Sequence, residues 1–250
     1  MRIALNAVAD VGTRTGRILS AEPELVALGL YGDQAGIAED RRTLRISSLE
    51  GFDVLVTDDG PASSALAGLA VEDGLACAIP GAISAGVAER FTSANRVVVT
   101  NCSLAGLAET LAVHEAALTD EPLDTVIAWT EFGKPLRRGT PVAFPDPVGA
   151  RWGRRIGPVG DTTKIAVPVD GPWAGAAATV VGTVAGSTAT RIVGVADDGD
   201  HLKAIALAAG AVVAAQTDLT GPIEPRDLAE AYLTAAMRMG LGVAAYTMEK

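Results

Sequence analysis

Aromatic side chains make up only 4 % of this 250-residue chain, so any core it builds is built from Ala, Val, Leu and Ile. Cysteine is scarcer still. Cys77 and Cys102 alone are too few for a disulfide framework and are expected as reduced, buried thiols. Two histidines, His114 and His201, leave little material for a zinc centre, and no metal is expected. Long apolar runs are missing too. The nearly unbroken stretch from Ala204 to Ala215 falls short of the roughly 20 residues that cross a bilayer, so no membrane partner is expected. Met1 leads directly into the strand-like Arg2–Asn6 without the features of a secretory leader, which points to a cytoplasmic location. Positive charge is outnumbered, with 20 basic against 30 acidic side chains and a net −10. An acidic chain gains nothing from a phosphate backbone, which argues against nucleic acid as a partner. There is no G-x-S-x-G, P-loop or H-E-x-x-H motif.

What is present is a globular composition, 49 % apolar and 20 % charged, on a chain long enough for a substantial core. Short apolar runs at 2–6, 25–31, 43–47, 53–57, 75–79 and 96–101 alternate with helix-period stretches at 12–20, 62–73, 84–91 and 103–118. That alternation predicts βαβ units and a parallel sheet covered on both faces. Right-handed crossovers then give a doubly wound, Rossmann-like α/β lobe with its ligand crevice at the carboxyl ends of the strands. After Pro122 the pattern changes. Strands are expected at 123–132, 164–169, 176–184 and 190–196, then helices at 200–216 and 228–239. The division expected is a dinucleotide-binding domain over 1–122 and an α+β substrate or oligomerisation domain over 123–250. The last helix is a candidate to pack back on the first domain.

A dinucleotide turn needs G-x-G-x-x-G between the first strand and the first helix. Here the positions read Ala7-Val8-Ala9-Asp10-Val11-Gly12, and only the third glycine remains. The Ala9 methyl intrudes where a pyrophosphate would lie, and Asp10 adds a negative charge at the helix N-terminus. Thr13 and Arg14 offer a hydroxyl and a cation beside the same turn. Asp33, 21 residues beyond Gly12, is the candidate for the ribose, and Arg41 and Arg42 are either a 2′-phosphate site or a solvated loop pair. Asp58 and Asp59, Pro80 and Gly81, and Asn101 end three further strands, so their position alone puts them on the crevice. Cys102 follows, at the start of a helix where a thiolate would be favoured, although no partner histidine is near in sequence. His114 shares a helical stripe with Leu107 and Leu111 and is expected to pack. Asp200 is expected to cap the helix that begins there.

Charge is unevenly spread. Between Lys134 and Lys164 lie seven basic and two acidic side chains, so the remaining chain is more acidic than the average suggests. A basic passage in an acidic protein points to an anion site, with Arg137, Arg138, Arg151 and Arg154 as carboxylate or phosphate ligands and Trp152 as a stacking wall. A solvated loop or a dimer contact accounts for the same residues. Lys134 beside arginines is a candidate proton donor, with Glu131 to orient it; a surface pair is the competing reading.

The chain resembles the group containing dihydrodipicolinate reductase, aspartate dehydrogenase and saccharopine-reductase-type proteins. The likeness rests on Ile3-Ala-Leu through Gly12-Thr-Arg, on Phe52-Asp-Val-Leu-Val-Thr before a helix, and on Val126 to Gly139 with its Lys134-Pro135 step. Gly182-Thr-Val-Ala-Gly followed by His201 to Val213 is similar to a saccharopine-type substrate lobe. The chain departs from the group at the turn glycines and in lacking the paired histidines of the reductase's catalytic loop. The resemblance implies NAD or NADP and hydride transfer at the C–N bond of a small, anionic, amino-acid-like substrate. In that setting Lys134 protonates nitrogen and the arginines hold the carboxylate. A homodimer or homotetramer is the expected assembly. A redox-neutral lyase, cyclase or isomerase, or a non-catalytic binding protein that no longer takes the dinucleotide, stands as the alternative.

Overall fold

The computed structural model describes residues 1–32, 36–37, 39–130, 152–155, 164–166 and 173–249. In chain order the elements are β1 (Arg2–Asn6), α1 (Asp10–Ser20), β2 (Ala27–Tyr31), β3 (Thr43–Ile46), β4 (Val54–Thr57), α2 (Ser63–Glu72), β5 (Ala76–Ala78), α3 (Ala85–Ser93), β6 (Val97–Val99) and α4 (Leu104–Ala116). They continue as β7 (Glu121–Thr130), β8 (Trp152–Arg155), β9 (Lys164–Ala166), β10 (Trp173–Val184), β11 (Ser187–Asp198), α5 (Gly199–Gln216), β12 (Gly221–Ile223), α6 (Ala229–Arg238) and β13 (Ala244–Glu249). Two compact units result. One comprises Met1–Ser103 and Lys203–Met239, the other Leu104–Leu202 and Gly240–Lys250.

The first unit is a seven-stranded sheet in the order β12-β6-β5-β4-β1-β2-β3, parallel at every pairing. Its central strands are short apolar runs with no polar face, as strands covered on both sides must be. Ile3, Leu5, Val54, Leu55, Val98 and Val99 are fully buried. One face packs Leu55 and Cys77 with Ala67 and Val71 of α2 and Val87 and Phe91 of α3. Gly210 of α5 lies so close to Cys102 and Ala78 that a methyl at 210 would collide with the Cys102 sulfur. The winding direction changes between β1 and β4, which opens a crevice beyond their carboxyl ends. The expected Rossmann-like lobe is observed.

The second unit is a six-stranded sheet ordered β13-β11-β10-β7-β8-β9, with α4 lying on β7, β10 and β11. Its pairings are antiparallel. The β10–β11 hairpin turns on Ala185 and Gly186, both at positive φ (50° and 80°), the conformation that matches the twist of the flanking strands. Glu115 on α4, with its side chain 5 % exposed, pairs with Arg191 on β11 at 2.7 Å. A carboxylate this buried is tolerated because it is paired.

Several details depart from expectation. Trp152–Arg155 falls in the passage read as a basic loop, yet it forms β8, with Trp152 opposite Trp129 and Arg154 opposite Ile127. Strand β12 contains Pro222, which hides it from sequence; as the sheet's edge it spares a ladder hydrogen bond. Its parallel pairing with β6 brings Lys203–Met239 into the first unit, whereas the sequence reading gave only the last helix that option. The cap of α5 is Asp198, whose carboxylate accepts the His201 backbone N–H at 3.1 Å, and not Asp200. Gly240, at φ +103°, ends α6. No described helix is long and apolar enough to cross a membrane.

Candidate functional site

The β1–α1 turn and the β4–α2 loop flank the switch point, and one side chain joins them. Asp58 follows β4 directly, and its carboxylate accepts three backbone N–H groups of the turn. Val8 donates to Oδ1 at 2.6 Å, Ala9 to Oδ2 at 3.0 Å and Gly12 to Oδ2 at 2.7 Å. Helix α1 has no cap from its own N-cap residue, Ala9. The cap comes instead from a residue 49 positions further along the chain. Anions favour a helix N-terminus because its first amides lack intrahelical acceptors and carry the positive end of the helix dipole.

The surviving glycine of the turn is explained by contact. A methyl at Gly12 would lie 2.5 Å from the Ala7 Cβ and 2.7 Å from Asp58 Oδ2, so helix and strand approach this closely only with glycine there. Ala9 and Asp10 are exposed at the turn, and Thr13 and Arg14 are half-buried in the first turns of α1.

Around the turn the crevice is held by a polar chain. Asn6 Nδ2 donates to the Tyr31 carbonyl and Thr57 Oγ1 donates to Asn6 Oδ1, both at 3.2 Å. The Asp59 N–H donates to Thr57 Oγ1 at 3.1 Å, while the Asp59 carboxylate accepts the Ala62 N–H at 3.2 Å in the turn before α2. The Ser63 hydroxyl closes the loop on the Asp59 carbonyl at 2.6 Å. Two further strand ends meet nearby. Asn101, at φ +55°, donates its N–H to the Gly81 carbonyl at 3.0 Å, next to Pro80, and a methyl at Gly81 would face open space.

The structure therefore gathers Ala7, Ala9, Gly12 and Asp58 into one cluster, with Thr13 and Arg14 beside it. It puts Asp59 in the turn before α2 and joins Gly81 to Asn101. Lys134, Glu131, Arg137, Arg138, Arg151 and Asp33 lie outside the described residues, and Trp152 and Arg154 lie on β8. Arg42, weighed for a 2′-phosphate, donates instead to the carbonyls of Ser20, Glu22 and Leu25 and clamps the end of α1. Cys102 is also reassigned. It precedes α4 but is 1 % exposed, and burial holds its thiol far above the ordinary range; Cys77 is pushed up to about 12. Neither supplies a thiolate. No cluster of three or more His, Cys, Asp or Glu side chains suited to a metal occurs among the described residues. A groove of about 600 Å³ runs along α6, lined by Gln216, Asp227, Glu230, Thr234 and Arg238, away from the switch point.

No family model matches the sequence, and no curated protein matches it. Solved structures do match. The dipicolinate-bound dihydrodipicolinate reductase from Paenisporosarcina sp. TG-14 superposes with a TM-score of 0.51 at 12 % identity, over 91 % of this chain and 99 % of that one. DAP dehydrogenase of C. glutamicum in complex with DAP gives 0.58 at 12 % identity, over 91 % and 93 %. An engineered D-amino acid dehydrogenase bound to NADP+ gives 0.53 at 12 % identity, over the same shares. The likeness is one of fold. It extends over both units, the parallel sheet and the antiparallel one.

The donor set of the turn suits an anion such as a phosphate. Three amides converge on one carboxylate, that of Val8 on one oxygen and those of Ala9 and Gly12 on the other. The seat belongs at present to Asp58. Sequence reasoning found Asp58 by its location at a strand end and missed this contact, because its partners lie 46 to 50 residues away.

Proposed function

We propose that the chain is an NAD(P)-dependent oxidoreductase acting on the C–N bond, imine or amine, of a small carboxylate or amino-acid-like substrate. The observation that carries this reading is the fold shared along 91 % of the chain with a reductase and two dehydrogenases. In this reading the amides of Val8, Ala9 and Gly12 hold a phosphate of the dinucleotide, and Thr13 and Arg14 stand beside it. Bound there, the dinucleotide supplies or accepts the hydride. The crevice formed by Asn6, Thr57, Gly81 and Asn101 orients it and excludes water. Asp33 binds the ribose. Lys134 carries the proton exchanged at the substrate nitrogen, with Glu131 orienting its ammonium group. Arg137, Arg138, Arg151 and Arg154 hold the carboxylate against Trp152. Copies of the chain assemble as a homodimer or homotetramer.

The test is consumption of NADH and NADPH with a panel of cyclic imine carboxylates, and of 2-oxo acids with ammonia. Turnover is expected with at least one member. Lys134→Ala is expected to lower kcat about 100-fold or more while the carboxylate still binds. No turnover and no dinucleotide binding would overturn the reading. Asp58 on the turn amides favours a second one: a redox-neutral lyase, cyclase or isomerase, or a non-catalytic binding protein, that takes no dinucleotide.

A further inference from the structure

We infer that Asp58 decides which ligands the β1–α1 turn accepts: its carboxylate sits where a dinucleotide phosphate would sit, and a dinucleotide binds only by displacing it. The inference rests on the reading of function above and goes beyond it by naming the residue that sets the affinity. The geometry is specific. Both oxygens of Asp58 are engaged, and they satisfy the amide of the N-cap residue, the one before it and that of Gly12 in the first turn of α1.

The loop that carries Asp58 is fixed on both sides. Thr57 bonds back to Asn6 of β1, and Asp59 is pinned by Thr57, Ala62 and Ser63. The carboxylate is therefore presented to the turn by a braced backbone. It leaves by rotation of its own side chain, which is half-exposed. Charge opposes a newcomer as well. A diphosphate approaching the turn meets Asp58 in its seat and exposed Asp10 in the first turn of the helix, two like charges against a dianion. The Ala9 methyl narrows the approach further.

The consequence is an intramolecular competitor. Every hydrogen bond a phosphate makes with these amides replaces one already made to a carboxylate, so the net gain is small, whereas removing the carboxylate leaves the amides open. Asp58→Asn keeps the shape of the side chain, removes its charge, and turns one acceptor into a donor facing an amide. Asp58→Ala empties the seat.

The experiment is isothermal titration of the full-length wild type, Asp58→Asn and Asp58→Ala with inorganic pyrophosphate and, separately, with NADPH. Both variants are expected to bind both probes about tenfold tighter than the wild type or better. If Asp58→Ala fails to fold for want of its helix cap, Asp58→Asn carries the comparison. Equal NADPH affinity in all three proteins overturns the inference and leaves the oxidoreductase reading standing. Tighter pyrophosphate binding by the variants, with no NADPH binding by any protein, supports the role of Asp58 and overturns the oxidoreductase reading. Variants that bind neither probe overturn the inference, and NADPH binding by the wild type then decides the oxidoreductase reading.

Discussion

Gly12 and Asp58 define each other. The absence of a side chain at 12 lets helix α1 come down onto Ala7, and the same absence leaves its amide open to Oδ2 of Asp58. Elsewhere in the first unit, single residues act through burial. Cys77 and Cys102 are neutral in the fold because desolvation disfavours the thiolate, whereas in the unfolded chain they ionise around their ordinary value of 9. The sign follows directly. Their contribution to stability is complete below 9 and is lost as pH climbs from there toward the folded values, that of Cys77 being about 12. One pH unit above 9, the loss is on the order of 1 kcal/mol per thiol. Urea unfolding midpoints followed from neutral pH to about 10 are expected to fall over the upper unit, with no labelling of either thiol by Ellman's reagent in the native protein. Prompt labelling, or a flat midpoint, would contradict the assignment.

Among the elements, the central strands of the first sheet were readable because burial on both faces leaves short apolar runs. Residues 53–57 were expected as a strand, and β4 is Val54–Thr57; the helix expected over 200–216 is α5. What stayed hidden has physical causes. β8 contains Gly153 and three polar or aromatic neighbours whose strand character comes from pairing with β7, not from intrinsic preference. β12 carries a proline that only an edge strand tolerates. Asp197, Asp198 and Asp200 all suit a helix cap, and only the path of the chain selects Asp198.

The β10–β11 hairpin offers a test at this scale. Ala185 sits at φ 50°, where a Cβ is strained, while its N–H is held by Asp120 at 2.8 Å. Ala185→Asn keeps that hydrogen bond and relieves the strain, since Asn tolerates the left-handed region. Stability is expected to rise by about 0.5–1 kcal/mol, seen as a Tm higher by about 2 °C in calorimetry. A lower Tm would show that the turn does not hold this conformation.

At the scale of the whole molecule, the fold was legible and the seating of Asp58 on the β1–α1 turn was not. Alternating strands and helices predict a doubly wound sheet, and the change of pattern after Pro122 predicts a second architecture; both are observed. A carboxylate reaching across the switch point leaves no trace in spacing, because Asp58 and its amide partners are brought together only by the adjacency of β1 and β4. The acidic chain thus supplies an internal anion to the turn at which its fold would receive an external one.

That substitution is the centre of the account, and the backbone amides report on it directly. Two-dimensional ¹⁵N–¹H spectra of labelled protein, recorded as NADPH is added, are expected to show the Val8, Ala9 and Gly12 resonances moving together. They should move at lower NADPH in Asp58→Asn than in the wild type. Dinucleotide binding that leaves those three amides unmoved in both proteins would contradict it.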